Sequence, residues 1–130
     1  MEWKIEELLP PEAIEVLKQE SINVNCVNEQ DGKLYAEIEF YSTHGGDQIF
    51  TIWFDKPAEN VVTKFVPFDS FLAGWLSEQE AFDIDEYVKL WLENSAKCPL
   101  SARELVEDAE DVSNTLETVY AELVTVYNNL

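Results

Sequence analysis

The fold of this chain is decided by residues 101–130, which read SARELVEDAEDVSNTLETVYAELVTVYNNL. Apolar residues recur in this stretch at intervals of four and three, and this spacing predicts one continuous helix with a single apolar seam. Ser101 and Glu104 form a capping-box pattern just after Pro99, so we expect the helix to begin there. The seam consists of Leu105, Ala109, Val112, Leu116, Val119, Leu123, Val126 and Leu130.

The seam requires an apolar partner, and two partners are possible. Its alternation of valine and leucine over residues 112–130 is typical of parallel two-stranded coiled coils. The acidic residues beside it, however, would face like charges across a parallel homodimer. We therefore favour packing within the chain, against a helix that begins near Asp83 or against a sheet, with a homodimer as the alternative.

The composition indicates one folded domain over residues 1–130. Apolar residues make up 46% of the chain, which is too many for a disordered acidic tail. The net charge of −19 comes from 27 acidic residues against eight Lys and Arg. Such a chain repels nucleic acid and anionic membranes, so the partner we expect is a basic protein. The alternative is that the charge only keeps the protein in solution.

Several features lead us to expect a cytoplasmic protein. The N-terminal residues have neither the charged nor the apolar region of a signal peptide. No apolar run approaches the roughly 18 residues that a membrane-spanning helix needs. Cys26 and Cys98 fit no metal or redox motif, and we expect both to be reduced, buried side chains.

The order of patterns along the chain predicts an α+β fold. Residues 1–20 are predicted to form a short helical N-terminus, residues 21–66 an antiparallel sheet, and residues 67–130 two or three helices of which the last is long. Alternating apolar residues and turn residues such as Asp31 and Gly32 divide the sheet region into a four-stranded meander. The fourth strand is predicted over residues 61–66.

Two further patterns predict which surfaces are buried. Residues 49–54 are apolar at both odd and even positions, which predicts a central strand covered on each side. The long helix is apolar on several sides from Val119 onward, whereas residues 101–117 carry many acids. We therefore expect the C-terminal half of this helix to be buried and its N-terminal half, a charged arm, to project or lie exposed.

No catalytic, cofactor or metal signature is present. His44 is the only histidine, and its surroundings, His44-Gly45-Gly46-Asp47, are typical of a polar turn between strands. Three acids are closely spaced at Asp83, Asp85 and Glu86, but the sequence that follows them does not continue as a calcium-binding loop. These three acids are better explained as residues favoured at a helix N-terminus. We expect no enzymatic activity, no cofactor and no metal.

One part of the chain resembles known proteins. The segment Phe82-Asp83-Ile84-Asp85-Glu86, followed by Trp91, Pro99 and residues 101–110, is similar to small acidic proteins of phages and integrative mobile elements of Gram-positive bacteria. The similarity extends roughly over residues 82–123. It implies an accessory gene of a mobile element, and some such genes act against host defence.

The leading hypothesis from the sequence is a binding protein that inhibits a basic, nucleic-acid-handling host protein, such as a CRISPR effector or a restriction enzyme. The alternative is an interaction or regulatory module that binds or dimerises through an apolar face. An ordinary solvated helix face would also account for the acids. The residues predicted to contact the partner are Glu104, Glu107, Asp108, Glu110, Asp111, Asp83, Asp85 and Glu86.

Overall fold

The computed structural model describes residues 2–44, 46–57, 66–94 and 100–130 and has an α+β architecture. Helices lie before and after a three-stranded antiparallel sheet, which confirms the predicted fold class. In chain order the elements are α1 (Ile5–Leu8), α2 (Pro11–Gln19), β1 (Asn23–Gln30), β2 (Lys33–Ser42), β3 (Gly46–Pro57), α3 (Val66–Ala81), α4 (Ile84–Asn94) and α5 (Ala102–Asn128).

The sheet is a meander in the order β1-β2-β3. Asp31 and Gly32 connect β1 to β2 with φ angles of 52° and 81°, as the favoured two-residue hairpin turn requires. The predicted fourth strand falls on residues 61–66, which lie outside the described residues apart from Val66. That residue is the first of α3, and Pro67 after it suits the first turn of a helix.

The inner face of the sheet forms one side of the hydrophobic core. Leu34, Ala36, Ile38 and Phe40 of β2 are all buried, as their alternation predicts. In β1 the register shifts between Val24 and Cys26. This bulge places Val27 in the core, so Cys26 pairs with Glu37 on the other face and is a half-buried free thiol. Cys98 lies outside the described residues.

The expectation that the strand over residues 49–54 is covered on each side was wrong. The central strand of the described sheet is β2, and β3 lies beside it with one face open to solvent. Ile49 is 55% exposed and Trp53 is 42% exposed. The even positions of β3 pack against the helices, whereas the odd positions pair with Tyr35, Glu37 and the other outward-facing side chains of β2.

Helix α3 packs closely against β3. A Cβ atom added at Gly74 would lie 2.0 Å from the carbonyl oxygen of Trp53, so only glycine permits this approach. The next residue, the fully buried Trp75, donates a hydrogen bond from Nε1 to the carbonyl of Leu116 at 2.8 Å. This bond connects α3 to the middle of α5.

Helix α5 begins where the sequence predicts. Its capping box is present, since the Glu104 N–H donates to Ser101 Oγ at 3.2 Å and the Ser101 N–H donates to Glu104 Oε1 at 3.0 Å. The seam is buried from Leu105 to Leu123, and it packs against α2, α3 and α4 of the same chain, as we favoured.

The expected projecting arm, however, is not observed. Leu105 and Val112 in the N-terminal half have no exposure, whereas Tyr127 and Leu130 near the C-terminus are 44% and 59% exposed. The apolar seam continues through the acidic N-terminal half of α5. Burial of its side chains holds this half against the core, although charged residues lie beside the seam.

The N-terminal segment contributes two short helices and one contact with the sheet. Leu8, Leu9, Ala13 and Leu17 are buried in the common core. Pro10 and Pro11 occupy the start of α2, where a missing N–H group costs nothing. Before α1, the Trp3 N–H donates to the carbonyl of Val27 at 3.0 Å in an isolated antiparallel bridge.

Candidate functional site

Four predicted partner residues lie on the face of α5 that meets the turn between β2 and β3. Positions 104, 107, 108 and 111 share one side of a helix because they are spaced by three, one and three residues. The turn presents Thr43 and His44 to that side. We call the resulting group the His44 cluster, and it consists of Thr43, His44, Glu104, Glu107, Asp108 and Asp111.

The contacts of the His44 cluster combine backbone and side-chain donors. The His44 N–H donates to Asp108 Oδ1 at 2.6 Å, and the Thr43 N–H donates to Asp111 Oδ2 at 3.3 Å. The Thr43 hydroxyl also donates to Asp111. Helix α5 therefore supplies hydrogen-bond acceptors for the N–H groups of Thr43 and His44, which lie in the turn and do not pair with a neighbouring strand.

The His44 ring lies between two carboxylates. Its Nε2 is 2.8 Å from Glu107 Oε2, and its Nδ1 is 3.8 Å from Glu104 Oε2. The hydrogen bond with Glu107 raises the pKa of His44 above its ordinary value, burial opposes this rise, and the charges of Asp108, Glu107 and Glu104 add to it. Hydrogen bonds with Ser101 are the main cause of a lowered pKa at Glu104, and His44 lowers it further.

Asp108 is the most unusual member of the cluster. Among the described residues it is the only acidic side chain that is fully buried. Its Oδ1 accepts the bond from His44, whereas its Oδ2 is buried without a hydrogen-bond partner in the described structure. Burial is the main cause of a raised pKa at Tyr87 of α4, and the charge of Asp108 contributes to it.

The cluster is better suited to holding the turn than to chemistry. Both ring nitrogens of His44 face carboxylates, so neither is directed at a hydroxyl or thiol nucleophile. Within the described ranges, no group of three or more His, Cys, Asp or Glu side chains is arranged to hold a metal ion. Four of the five acids of α5 that the sequence predicts to contact a partner, all except Glu110, therefore have structural contacts of their own.

The other predicted partner residues are more accessible. Asp83 is the N-cap of α4, where its Oδ1 accepts a bond from the Glu86 N–H at 3.0 Å. The carboxylates of Asp85, Glu86 and Glu110 are exposed and make no hydrogen bond or ion pair with any described residue. Three of the eight predicted residues are thus free to meet a partner directly.

The residues that form a second surface were not predicted as partner contacts. The open side of the sheet, which we call the outer sheet face, is formed by Tyr35, Glu37, Glu39, Tyr41, Asp47, Ile49, Thr51 and Trp53. It combines exposed apolar side chains with three carboxylates. The alternation of β2 does indicate an open sheet face. Glu37 and Glu39 occupy every second position, and a strand with this pattern is covered on one face only.

A half-open cavity of about 260 Å³ adjoins this face, between β3 and α3. Trp53 and Thr51 line it together with Lys33, Asp55 and Glu78. Burial raises the pKa of Glu78. The mixed charge and the open shape of this cavity do not single out a class of ligand.

Two further observations concern membrane-spanning helices and similarity to known proteins. Among the helices of the described residues, none combines the length and apolar composition that crossing a membrane requires. Comparison of the chain with protein-family models, with curated proteins and with solved structures found no match.

Proposed function

We propose that this chain is a non-enzymatic acidic binding protein that occupies the basic nucleic-acid surface of a host protein. In this proposal it acts in the host cytoplasm as an anti-defence inhibitor encoded by a phage or mobile element. A CRISPR effector or a restriction enzyme is the class of partner that such an inhibitor would meet. The protein binds no nucleic acid itself.

The observation that carries the proposal is an uncompensated surface charge. The net charge is −19, and every described acidic side chain except Asp108 has access to solvent. The ion pairs among the described residues involve only Glu104 and Glu107 as anions. A field of this sign accelerates association with basic surfaces and weakens as salt is added.

The spacing of acids on packed helices supports mimicry of nucleic acid. Acids three or four residues apart on a helix are separated by about 4.5–6 Å along its axis, and phosphates rise about 3.4 Å each along a strand. Helices α4 and α5 pack against each other, which holds Asp85, Glu86 and Glu110 on a rigid scaffold. Within the His44 cluster, Glu104, Glu107 and Asp111 add to the field, whereas Asp108 is too buried to touch a partner.

The proposal is tested by capturing proteins from a Gram-positive bacterial lysate on the immobilised chain and eluting them with duplex DNA. The test variant carries Asp85→Lys, Glu86→Lys and Glu110→Lys. A matched control reverses three exposed acids elsewhere, at Glu12, Glu15 and Glu29. We expect DNA to release nucleic-acid-binding proteins, and the test variant to capture less of them than the control. Captured proteins that DNA does not displace would contradict mimicry.

A second function is favoured by one specific observation. Tyr41, Ile49 and Trp53 expose 62%, 55% and 42% of their side chains on the outer sheet face, as expected of an interaction module that binds or dimerises through an apolar surface. Salt separates the two functions. Binding by mimicry should weaken steeply between 0.1 and 0.5 M NaCl, on the order of tenfold or more, whereas an apolar interface should change little.

A further inference from the structure

We propose that the outer sheet face is the docking surface for an extended, arginine-bearing segment of a protein partner. The inference rests on the proposed function and adds a second contact surface for the same basic partner, beyond Asp85, Glu86 and Glu110. It follows from three features of this face, namely exposed aromatic rings, carboxylates between them, and a regular spacing set by the strands.

The first feature is an aromatic and aliphatic surface that no described element covers. Tyr35 and Trp53 are paired across β2 and β3, with ring centroids 5.2 Å apart and planes tilted by 46°. Ile49 and Tyr41 continue the same face toward the other end of the strands. Large apolar side chains that remain this exposed in a contiguous area are typical of a protein-binding surface.

The second feature is the position of the acids within that surface. Glu39 lies opposite Ile49, and Asp47 lies opposite Tyr41, so carboxylates and apolar groups alternate across the strands. The register places Glu39 and Asp47 diagonally across the two strands, and burial and this neighbouring acid raise the pKa of Glu39. A cation placed between them would relieve their repulsion.

No part of the described chain supplies that cation. The described ion pairs use only His44 and Arg103 as cationic partners, and neither of them pairs with Glu37, Glu39 or Asp47. Glu37 accepts only long contacts, from Asn25 Nδ2 at 3.5 Å and from the Cys26 thiol at 3.7 Å. The face is therefore complementary in charge to a basic partner.

Arginine fits this combination better than other groups. Its planar guanidinium stacks on Trp and Tyr rings while its N–H groups donate to carboxylates. Alternate residues of a strand are about 6.6–6.8 Å apart, so an extended partner with arginine at every second position matches the spacing of Glu37 and Glu39. A second copy of this face is disfavoured because it would bring the same acids together.

The probe for the test is a synthetic peptide, (Arg-Ser)4-Arg, titrated into the protein at 150 mM NaCl. Binding is measured by calorimetry and located by amide chemical shifts. The test variant is Glu37→Gln/Glu39→Gln. The control Glu12→Gln/Glu15→Gln removes the same charge from exposed positions of α2, in the helical layer. Trp53→Ser tests stacking separately, and thermal unfolding verifies that each variant is folded.

We expect the outer-face variant and Trp53→Ser each to weaken binding by at least tenfold, and the control by less than threefold. Shifts should concentrate on β2 and β3, and the lysine analogue of the peptide should bind several-fold more weakly. Equal losses in variant and control, or shifts spread over the helices, would overturn the docking surface. Absence of any peptide binding would also overturn it, whereas the DNA-elution experiment decides the proposed function independently.

Discussion

The backbone N–H of His44 donates a 2.6 Å hydrogen bond to a carboxylate of Asp108 that has no exposure to solvent. The two residues are 64 positions apart in the chain, so this bond joins the β2–β3 turn to the first half of α5. A hydrogen bond to an ionised acceptor is shorter and stronger than one between neutral groups. The acidic residues of α5 are therefore part of the tertiary structure as well as of the surface charge.

The Asp108 contact predicts a stability difference between two substitutions. Asp108→Ala removes the acceptor and should lower the free energy of unfolding by about 1.5–3 kcal/mol. Asp108→Asn keeps an oxygen acceptor and removes the buried charge, so it should cost less. Urea unfolding followed by circular dichroism measures both. An alanine variant as stable as the parent would show that the bond to His44 contributes nothing.

The environment of His44 predicts a pH dependence. Its pKa in the folded state is raised above the ordinary value of 6.5, first by the hydrogen bond with Glu107 and further by Asp108 and Glu104. The stability from protonated His44 is therefore fully present below about pH 6.5 and is lost as the pH rises through the raised folded-state pKa.

Urea midpoints at pH 6, 7, 8 and 9 measure this effect in the parent and in His44→Asn. The parent should lose more stability over that range, because the variant lacks the titrating group. The two proteins are otherwise identical, so the difference between their curves isolates the contribution of His44. Parallel curves would exclude His44 as the source.

Gly74 and Gly32 are predicted to respond differently to larger side chains. At Gly74 the new Cβ would meet the Trp53 carbonyl, and Gly74→Ala should cost roughly 1–3 kcal/mol even after the gain in helix propensity. Gly32 has open space around it but a φ of +81°, so Gly32→Ala should cost about 1–2 kcal/mol.

Asparagine distinguishes the two causes, because it tolerates a left-handed backbone but is larger than alanine. Gly32→Asn should recover most of the lost stability, whereas Gly74→Asn should be no better than Gly74→Ala. Thermal unfolding of the four variants provides the comparison. Recovery at position 74 would show that α3 can move away from β3 at little cost.

Trp75 should be the most sensitive single residue of the core. It is fully buried, contacts Phe71 at a centroid distance of 5.9 Å and bonds to the carbonyl of Leu116. Trp75→Phe should lower the free energy of unfolding by about 1–2 kcal/mol, and Trp75→Ala by about 3–5 kcal/mol. A phenylalanine variant as stable as the parent would mean that neither the indole bond nor the extra volume stabilises the fold.

Much of the fold was predictable because its signals are local. The capping residues Ser101 and Glu104, the Asp31-Gly32 turn and the alternation of β2 each depend on neighbours in the chain. The α+β class followed from the order of these segments. The strand predicted over residues 61–66 includes Val66, yet this residue begins α3, where Pro67 is accommodated in the first turn.

The candidate site was harder to predict because its decisive contacts are long-range. The eight acids were chosen for their density along the chain, and nothing local indicates that Asp108 and Asp111 bond to a turn more than sixty residues earlier. The apolar residues of β3 predicted burial on both faces, because periodicity cannot tell a covered face from one left open. Only the cross-strand register reveals that Trp53 and Glu39 share a surface.

The bridge between Trp3 and Val27 has a consequence for self-assembly. In the described sheet β1 is an outer strand, and its unpaired N–H and C=O groups are a template on which another chain can add a strand. Trp3 occupies one of these positions, and the bulge after Val24 interrupts the regular row. Loss of the N-terminal segment would therefore expose the edge of β1 to pairing with strands of other molecules. Aggregation should be the first observable effect.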